Sequence, residues 1–326
     1  MIGAGIVGLG WWGNVLVEAV QGRSERIRFV HGVARDPASK QEIARRHGLV
    51  LSPTLAAMLA DPAVQAVVLA TPHSLHRAEI EAVAAAGKPV FCEKPLTLTA
   101  ADAFAAVGAA RKAGTLLAVG HNRRFLPALG EMKRLAAAGE LGELLHVEGH
   151  FSNANSSNAF APWRHDAEES PAGGMTGTGI HVLDAFVSLL GPVRSVHAQL
   201  VSRKPAPGPL DTLSMLLRFE NGVTGTLSAV RATPFYWRLH LFGTQRSAEM
   251  LQEDTLVVHA GGQASPQRRS FPPVDMLRLE LEAFADAIEG RAPYPIGDAD
   301  MIATVAAFEA VCRSVKSGRT EMVQKD

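Results

Sequence analysis

Three glycines, Gly8-x-Gly10-x-x-Gly13 within IGAGIVGLGWWGNVLVEAV, constrain this chain more than any other feature. A triad of this spacing needs a strand before it and a helix after it. The first glycine makes a tight turn, the second lets backbone approach a phosphate, and the third lets helix and strand pack closely. An overlapping frame, Gly3-x-Gly5-x-x-Gly8, begins at the third residue and leaves no room for a preceding strand. The downstream frame follows the apolar run IGAGIV and precedes NVLVEAV, which reads as helix. The first turn of that helix offers unbonded N–H groups and a positive dipole end to an anion. A lone glycine pattern is weak evidence, so the surrounding segments have to decide.

They agree. IRFVHGVA (27–34), QAVVLAT (65–71), KPVFCEK (88–94) and TLLAVG (115–120) read as short buried strands. Between them, SKQEIARRHG, PTLAAMLAD, SLHRAEIEAVAAAG and AADAFAAVGAARKAG read as helices. Short apolar runs alternating with amphipathic helices describe a parallel sheet covered on both faces. The expected N-terminal domain is therefore a doubly wound Rossmann sheet over residues 1–121, with Gly8, Leu9, Gly10, Trp11 and Trp12 forming the phosphate turn. An acidic residue about 20 positions after the glycines favours NAD by bonding the ribose hydroxyls. Here Ala34 falls at that place, Arg35 follows it, and Asp36 comes two positions late. An arginine without the carboxylate suits a 2′-phosphate, which favours NADP over NAD. The alternative is that Asp36 reaches the ribose after a small loop shift and Arg35 is a solvated charge.

Composition removes several other classes. Lys and Arg together number 32, as do Asp and Glu, so nothing argues for nucleic acid or a membrane surface. No apolar stretch reaches the ~18 residues of a membrane span. No basic region precedes the N-terminal apolar run, which reads against a secretory signal. Cys92 and Cys312 are far apart and form no C-x-x-C, in keeping with a reducing, cytoplasmic setting.

Three further stretches carry a more specific signal: ATPHSLH (70–76), CEKPLTLT (92–99) and GGMTGTGIHVLD (173–184). With the C-terminal LELEAFADAIEGRAPYPIGDADMIATVAAFEAVCRSVKSG, they make the chain resemble the Gfo/Idh/MocA oxidoreductases. That family includes glucose–fructose oxidoreductase and the inositol dehydrogenases, and the resemblance runs over essentially the whole chain. It implies that residues 122–326 form an α/β domain on a large, mostly antiparallel open sheet that binds substrate and pairs subunits into a homodimer or homotetramer. GELLHVEGHFS, VRSVHAQLVSR, DTLSMLLRFENGVTGTLSAVRA and WRLHLFGTQRSAEML have the strand character this requires, with a hairpin turn at Asn221-Gly222.

The resemblance also assigns roles. Lys94 of the Glu93-Lys94-Pro95 motif matches the lysine beside nicotinamide and substrate. His181 matches the family histidine, the usual proton acceptor. Thr71, Pro72, His76, Glu93 and Asn122 fall where members contact cofactor, and Arg124 where they contact substrate. One departure matters: the family places Asp four residues before the histidine, and this chain has Gly177. The orienting carboxylate is missing, which leaves Lys94 a larger share of the proton chemistry and makes Thr176 or Thr178 a candidate substrate contact. The long polar segment 151–174 reads as a lid. In it, Trp163 and Arg164 would suit the C–H face and hydroxyls of a polyol, or Trp163 could anchor the loop. His73 with His76, and His146 with His150 around Glu148, have spacings that metal sites use, but no third ligand is specified and no metal is expected. The leading expectation is hydride transfer between NAD(P) and a carbinol or carbonyl carbon of a sugar, cyclitol or similar polyhydroxy compound. Two alternatives stand beside it. One is a same-fold enzyme with altered chemistry, using tightly held cofactor or an imine or aromatic-diol substrate. The other is a non-catalytic dinucleotide-binding sensor.

Overall fold

The computed structural model describes residues 1–154, 163, 166–203, 212–231, 233–262 and 265–324. The chain divides into two compact units, residues 1–122 with 275–301, and residues 123–274 with 302–326.

The first unit is built on strands β1 (Ile2–Val7), β2 (Ile27–Val33), β3 (Val50–Ser52), β4 (Ala66–Leu69), β5 (Val90–Glu93) and β6 (Leu117–Gly120). They lie in the order β3-β2-β1-β4-β5-β6, and every pairing is parallel. Strands β4, β5 and β6 are buried at every residue, as a sheet covered on both faces requires. The covering helices are α1 (Trp11–Val20), α2 (Gln41–His47), α3 (Leu55–Leu59), α4 (His76–Ala85) and α5 (Ala100–Ala113). Helix α1 begins at Trp11, three residues ahead of the run NVLVEAV, because Gly10 ends the turn and takes the N-cap position. The three-residue β3 carries too little periodicity to be seen in the sequence.

The sequence reading put everything beyond residue 121 into one domain, but helix α8 (Met276–Ile288) belongs to the first unit. There Phe284 packs on Phe91, ring centroids 5.8 Å apart. Asp286 accepts from Arg26 at 2.8 Å, and the Tyr294 hydroxyl donates to the Val119 carbonyl at 2.9 Å.

In the second unit, nine strands among the described residues form one mostly antiparallel sheet. They are β7 (Leu144–Asn153), β8 (Val193–Val201), β9 (Thr212–Phe219), β10 (Thr224–Arg231), β11 (Tyr236–Gly243), β12 (Arg246–Leu251), β13 (Thr255–Ala260), β14 (Gln267–Ser270) and β15 (Glu321–Met322). Their order is β14-β13-β12-β11-β7-β10-β9-β8-β15. Only β7 and β10 run parallel. The β9–β10 hairpin turns where expected: Gly222 sits at φ +89°, and the Asn221 side-chain oxygen accepts the Val223 N–H at 3.1 Å.

One face of this sheet carries α6 (Pro127–Ala137) and α7 (Gly179–Leu190), and Ser314 of α9 (Asp298–Ser317) accepts the Ala198 N–H of β8 at 2.8 Å. Helix α7 approaches β7 at Gly149, where any Cβ would overlap Val182 and Phe186. The opposite face carries polar and apolar residues alternately with the buried ones. Leu216 is 60% exposed and Val201 48% exposed on it. At its centre Arg238 bonds Glu249 at 2.6 Å and Glu148 at 2.8 Å. Arg238 also donates to His240 Nδ1 at 3.0 Å, so His240 is held as the neutral tautomer that donates from Nε2 to Ser247 Oγ at 2.9 Å. Burial is the main reason the His240 pKa falls from 6.5 to about 4.

Two outcomes follow. Gly149→Ala should destabilise the protein by roughly 1–3 kcal/mol through overpacking of α7 on β7, read as a lower urea midpoint. His240 stays neutral in the native state while its unfolded counterpart protonates, so its contribution is intact above pH 6.5 and lost as the pH falls toward 4. His240→Gln should therefore flatten the acid limb of stability against pH across that window, as measured by thermal melts.

Candidate active site

Because the six strands of the first unit are parallel, the loops after β1, β2, β4, β5 and β6 all emerge at one sheet edge. That edge holds every N-terminal candidate from the sequence. The turn after β1 has the three-glycine geometry in full. Gly8 lies at φ +97°, and a Cβ there would stand 2.5 Å from the Ala70 carbonyl oxygen. A Cβ on Gly13 would overlap the Gly8 carbonyl oxygen, so α1 closes onto the turn only with glycine at 13. Above Gly10 there is open space, with nothing within 4 Å of a Cβ. The first turn of α1 has no acidic residue and no side-chain cap, as suits a helix terminus that receives an anion. The side chain of Leu9 turns inward and packs against β2 at Gly32, so Leu9 serves the turn through its backbone. Trp11 is 49% exposed, and its ring lies 5.4 Å from that of Trp12.

Two buried polar atoms at this edge have no hydrogen-bond partner among the described residues, Trp12 Nε1 and Asn122 Oδ1. One donates and the other accepts. With the open glycine turn, they are what a dinucleotide site provides before its ligand binds. The turn, the uncapped helix and these two atoms fit a nicotinamide dinucleotide.

After β2, Ala34 is buried while Arg35 and Asp36 are exposed. The Asp36 carboxylate accepts the Ser39 N–H at 3.4 Å, and the Ser39 hydroxyl donates to the Asp36 carbonyl at 2.9 Å, which folds this loop upon itself. After β4, the Thr71 hydroxyl donates to Glu79 at 2.5 Å, and burial raises the Glu79 pKa. Thr71 and Pro72 are partly exposed at the edge, but His76 is fully buried. Its Nδ1 faces the carbonyls of Pro95 and Leu96 at 2.9 and 3.2 Å, and its Nε2 faces the Thr71 carbonyl at 3.1 Å. His76 was expected beside the cofactor; with both nitrogens committed to backbone, it braces the β4 loop against the β5 loop instead.

At the end of β5, Glu93 is buried and accepts the Lys94 N–H at 3.2 Å. Lys94 is partly exposed, and the Lys94–Pro95 peptide is cis. Burial, reinforced by Glu93 and Glu79, pushes the Cys92 thiol well above its usual pKa, so that sulfur is a packing group and not a nucleophile.

The second unit holds the remaining candidates. His181, in the first turn of α7, is 5% exposed, its ring edge-on to Phe151 at 6.0 Å. Thr178 precedes that helix and is 1% exposed, and Gly177 is partly exposed. Trp163 is half-buried, and its carbonyl accepts the Asp166 N–H at 3.0 Å. Arg164 lies outside the described residues. Arg124, expected to touch substrate, is instead locked to Asp184 by two bonds of 2.6 and 2.9 Å, the side chains 4% and 2% exposed. The Nε and Nη2 side of the guanidinium is taken up by this buried carboxylate. The sequence reading overlooked Arg123. That guanidinium lies 4.3 Å from the Phe151 ring centroid and pairs with Glu253 at 3.0 Å. Among the described residues no cluster of His, Cys, Asp or Glu could hold a metal, and no helix is long and apolar enough to cross a membrane.

Comparison with known proteins draws on both units. Residues 2–121 match the oxidoreductase family with an NAD-binding Rossmann fold, and residues 129–249 match the GFO/IDH/MocA C-terminal domain. Inositol 2-dehydrogenase 1 of Saccharopolyspora erythraea is 31% identical over 328 residues, covering 96% of this chain and 94% of the relative. A 2,7-anhydro-N-acetylneuraminate hydratase of Escherichia coli is 29% identical over 273 residues, covering 81% of this chain and 71% of that enzyme. A levoglucosan dehydrogenase solved with NADH and levoglucosan has the same fold, with a TM-score of 0.87, 24% identity and full coverage of both chains. The chain is a member of the GFO/IDH/MocA family of oxidoreductases, with the NAD-binding Rossmann fold of that family.

Proposed function

We propose that this protein is an NAD(P)-dependent dehydrogenase or reductase acting on a CH–OH carbon of a sugar, cyclitol or related polyhydroxy compound. The observation that carries the reading is Lys94, standing immediately beyond β5 at the sheet edge that also holds the glycine turn, its backbone N–H fixed by the buried Glu93. The names of an inositol dehydrogenase and a levoglucosan dehydrogenase among the similar proteins support a polyol substrate.

The nicotinamide, when bound, supplies the hydride acceptor or donor. The remaining work is proton transfer at the substrate oxygen, and this falls to Lys94 and His181. Gly10 and the first turn of α1 bind the pyrophosphate, while Trp12 and Asn122 present a donor and an acceptor to the rest of the dinucleotide. Trp163, Arg164 and Thr178 are proposed on the substrate side. Arg35, exposed at the end of β2, favours NADP by pairing with a 2′-phosphate. The exposed outer face of the nine-stranded sheet is proposed to pair subunits, because Leu216 and Val201 would otherwise face water on it.

A second reading keeps the fold and alters the chemistry. Gly177 removes the carboxylate expected before His181, and one similar protein is named a hydratase. Cofactor that survives gel filtration and does not exchange during turnover would favour this reading over a simple dehydrogenase.

Three outcomes test the proposal. Gly10→Ala should leave the melting temperature nearly unchanged, since Gly10 has extended backbone and open space above it, yet weaken dinucleotide binding at least tenfold. Arg35→Ala should weaken NADPH on the order of tenfold, ~1.4 kcal/mol, and leave NADH unaffected in fluorescence titrations. Tighter NADH binding that ignores Arg35 would reverse the cofactor preference. Lys94→Ala should lower kcat by roughly 100-fold or more in a polyol and ketose screen, with cofactor Kd within about twofold of wild type. Full turnover by that variant would overturn the mechanism.

A further inference from the structure

Helix α7 carries His181, and its apolar side chains fit closely against the sheet. GIHVLDAFVSLL is apolar around its circumference, and Gly149 lets it lie directly against the sheet. A small roll of this helix would re-aim every side chain on it, His181 included. Its ionisable residues are His181 and Asp184, one turn apart and so on nearby faces. The two bonds from Arg124 to Asp184 come from a planar group to a planar group, so they define both the position and the rotation of that turn.

The imidazole is also held from the ring side. Phe151 meets His181 edge-on, and the Phe151 ring is in turn covered by the Arg123 guanidinium at 4.3 Å. Arg123 lies 5.0 Å from the Trp237 ring centroid and is fixed at its other side by Glu253. Trp237 and Phe151 are themselves in edge contact at 5.2 Å. The consecutive arginines 123 and 124 thus reach His181 by two routes, one through its helix and one through the aromatic ring beside it. Position 177, where the family resemblance predicts an orienting carboxylate, is glycine.

We infer that Arg123 and Arg124 are positioning residues for His181. They take over, through Phe151 and Asp184, the orientation that the carboxylate absent at position 177 would have given. The inference rests on the reading of His181 as a proton-transfer residue. Neither arginine touches substrate in this account; each acts on the imidazole alone.

The test is the imidazole 13C–1H spectrum of the full-length protein, with the His181 signal assigned by its loss in His181→Gln. Arg123→Lys and Arg124→Lys keep the charge and remove the planar fork. In wild type the His181 resonance should report a single tautomer. In either lysine variant it should broaden or shift toward mixed tautomers. Turnover of inositol or levoglucosan with NAD+ or NADP+ should then show a displaced pH midpoint of kcat with KM within about twofold. Should Arg124→Lys fail to fold, Arg123→Lys on its stacked, partly accessible side chain carries the test. An unchanged His181 resonance in the folded lysine variants overturns the positioning role, even if their stability has fallen. Wild-type turnover by His181→Gln overturns the proton-transfer reading beneath it, a separate result.

Discussion

The absence of a side chain at position 13 lets α1 close over the carbonyl of Gly8, and much of the cofactor edge hangs from that approach. Gly8, turned to positive φ, is pressed in its turn against the Ala70 carbonyl. The next residue, Thr71, gives its own carbonyl to His76, and His76 reaches the carbonyl of Pro95 beside Lys94. A continuous series of contacts, backbone carbonyls joined through the His76 ring, therefore runs from the glycine turn to the proposed proton-transfer lysine. The phosphate turn and the lysine hold a common register because the ring that joins their loops is fully buried and faces a carbonyl at each nitrogen. His76 matters here as a link in the series, and its complete burial suits that purpose.

The second unit solves the corresponding problem with charge. Its sheet offers α7 an apolar bed, closely fitted at Gly149, whose contacts have none of the directionality of a hydrogen bond. A buried carboxylate and a guanidinium supply the missing direction. A pair this deeply buried gains little net stability over a well-packed apolar pair, because desolvating two charges costs about as much as their attraction returns. Its value lies in geometric definition, and in the large penalty for losing either partner alone. The outer face of the same sheet uses ions differently: Arg238 between Glu148 and Glu249 stays near water, and it selects the neutral form of His240.

What was legible in the sequence was what is local. Gly8, Gly10 and Gly13 act within one turn and its flanking elements, so their spacing encodes their geometry. Glu93-Lys94-Pro95 works the same way at the end of β5, and Asn221-Gly222 at its hairpin. The misses are contacts between residues far apart in the chain. Arg124 finds Asp184 sixty positions later, so a free arginine beside a pocket and an arginine locked in a core look alike in sequence. His76 looks like a ligand residue until the carbonyls of Thr71, Pro95 and Leu96 close around it. The only hint for Arg123 was a doubled arginine after a strand, which says nothing of the aromatic rings it covers. Strand β3, with three residues, has no periodicity to read.

The path of the chain has a consequence for synthesis. All six strands of the parallel sheet are made by residue 120, yet the helix that packs against Phe91 is made only after residue 275. During translation the first unit therefore waits, incompletely covered, through the production of some 150 residues that belong to another unit. A nascent chain in that condition shows apolar surface near Phe91 and Val119 until its own distant segment arrives. The discontinuity thus delays completion of the nucleotide-binding half until most of the second unit has been made. A chain cut short anywhere before Phe284 would leave that half without its cover, however complete its strands and its glycine turn.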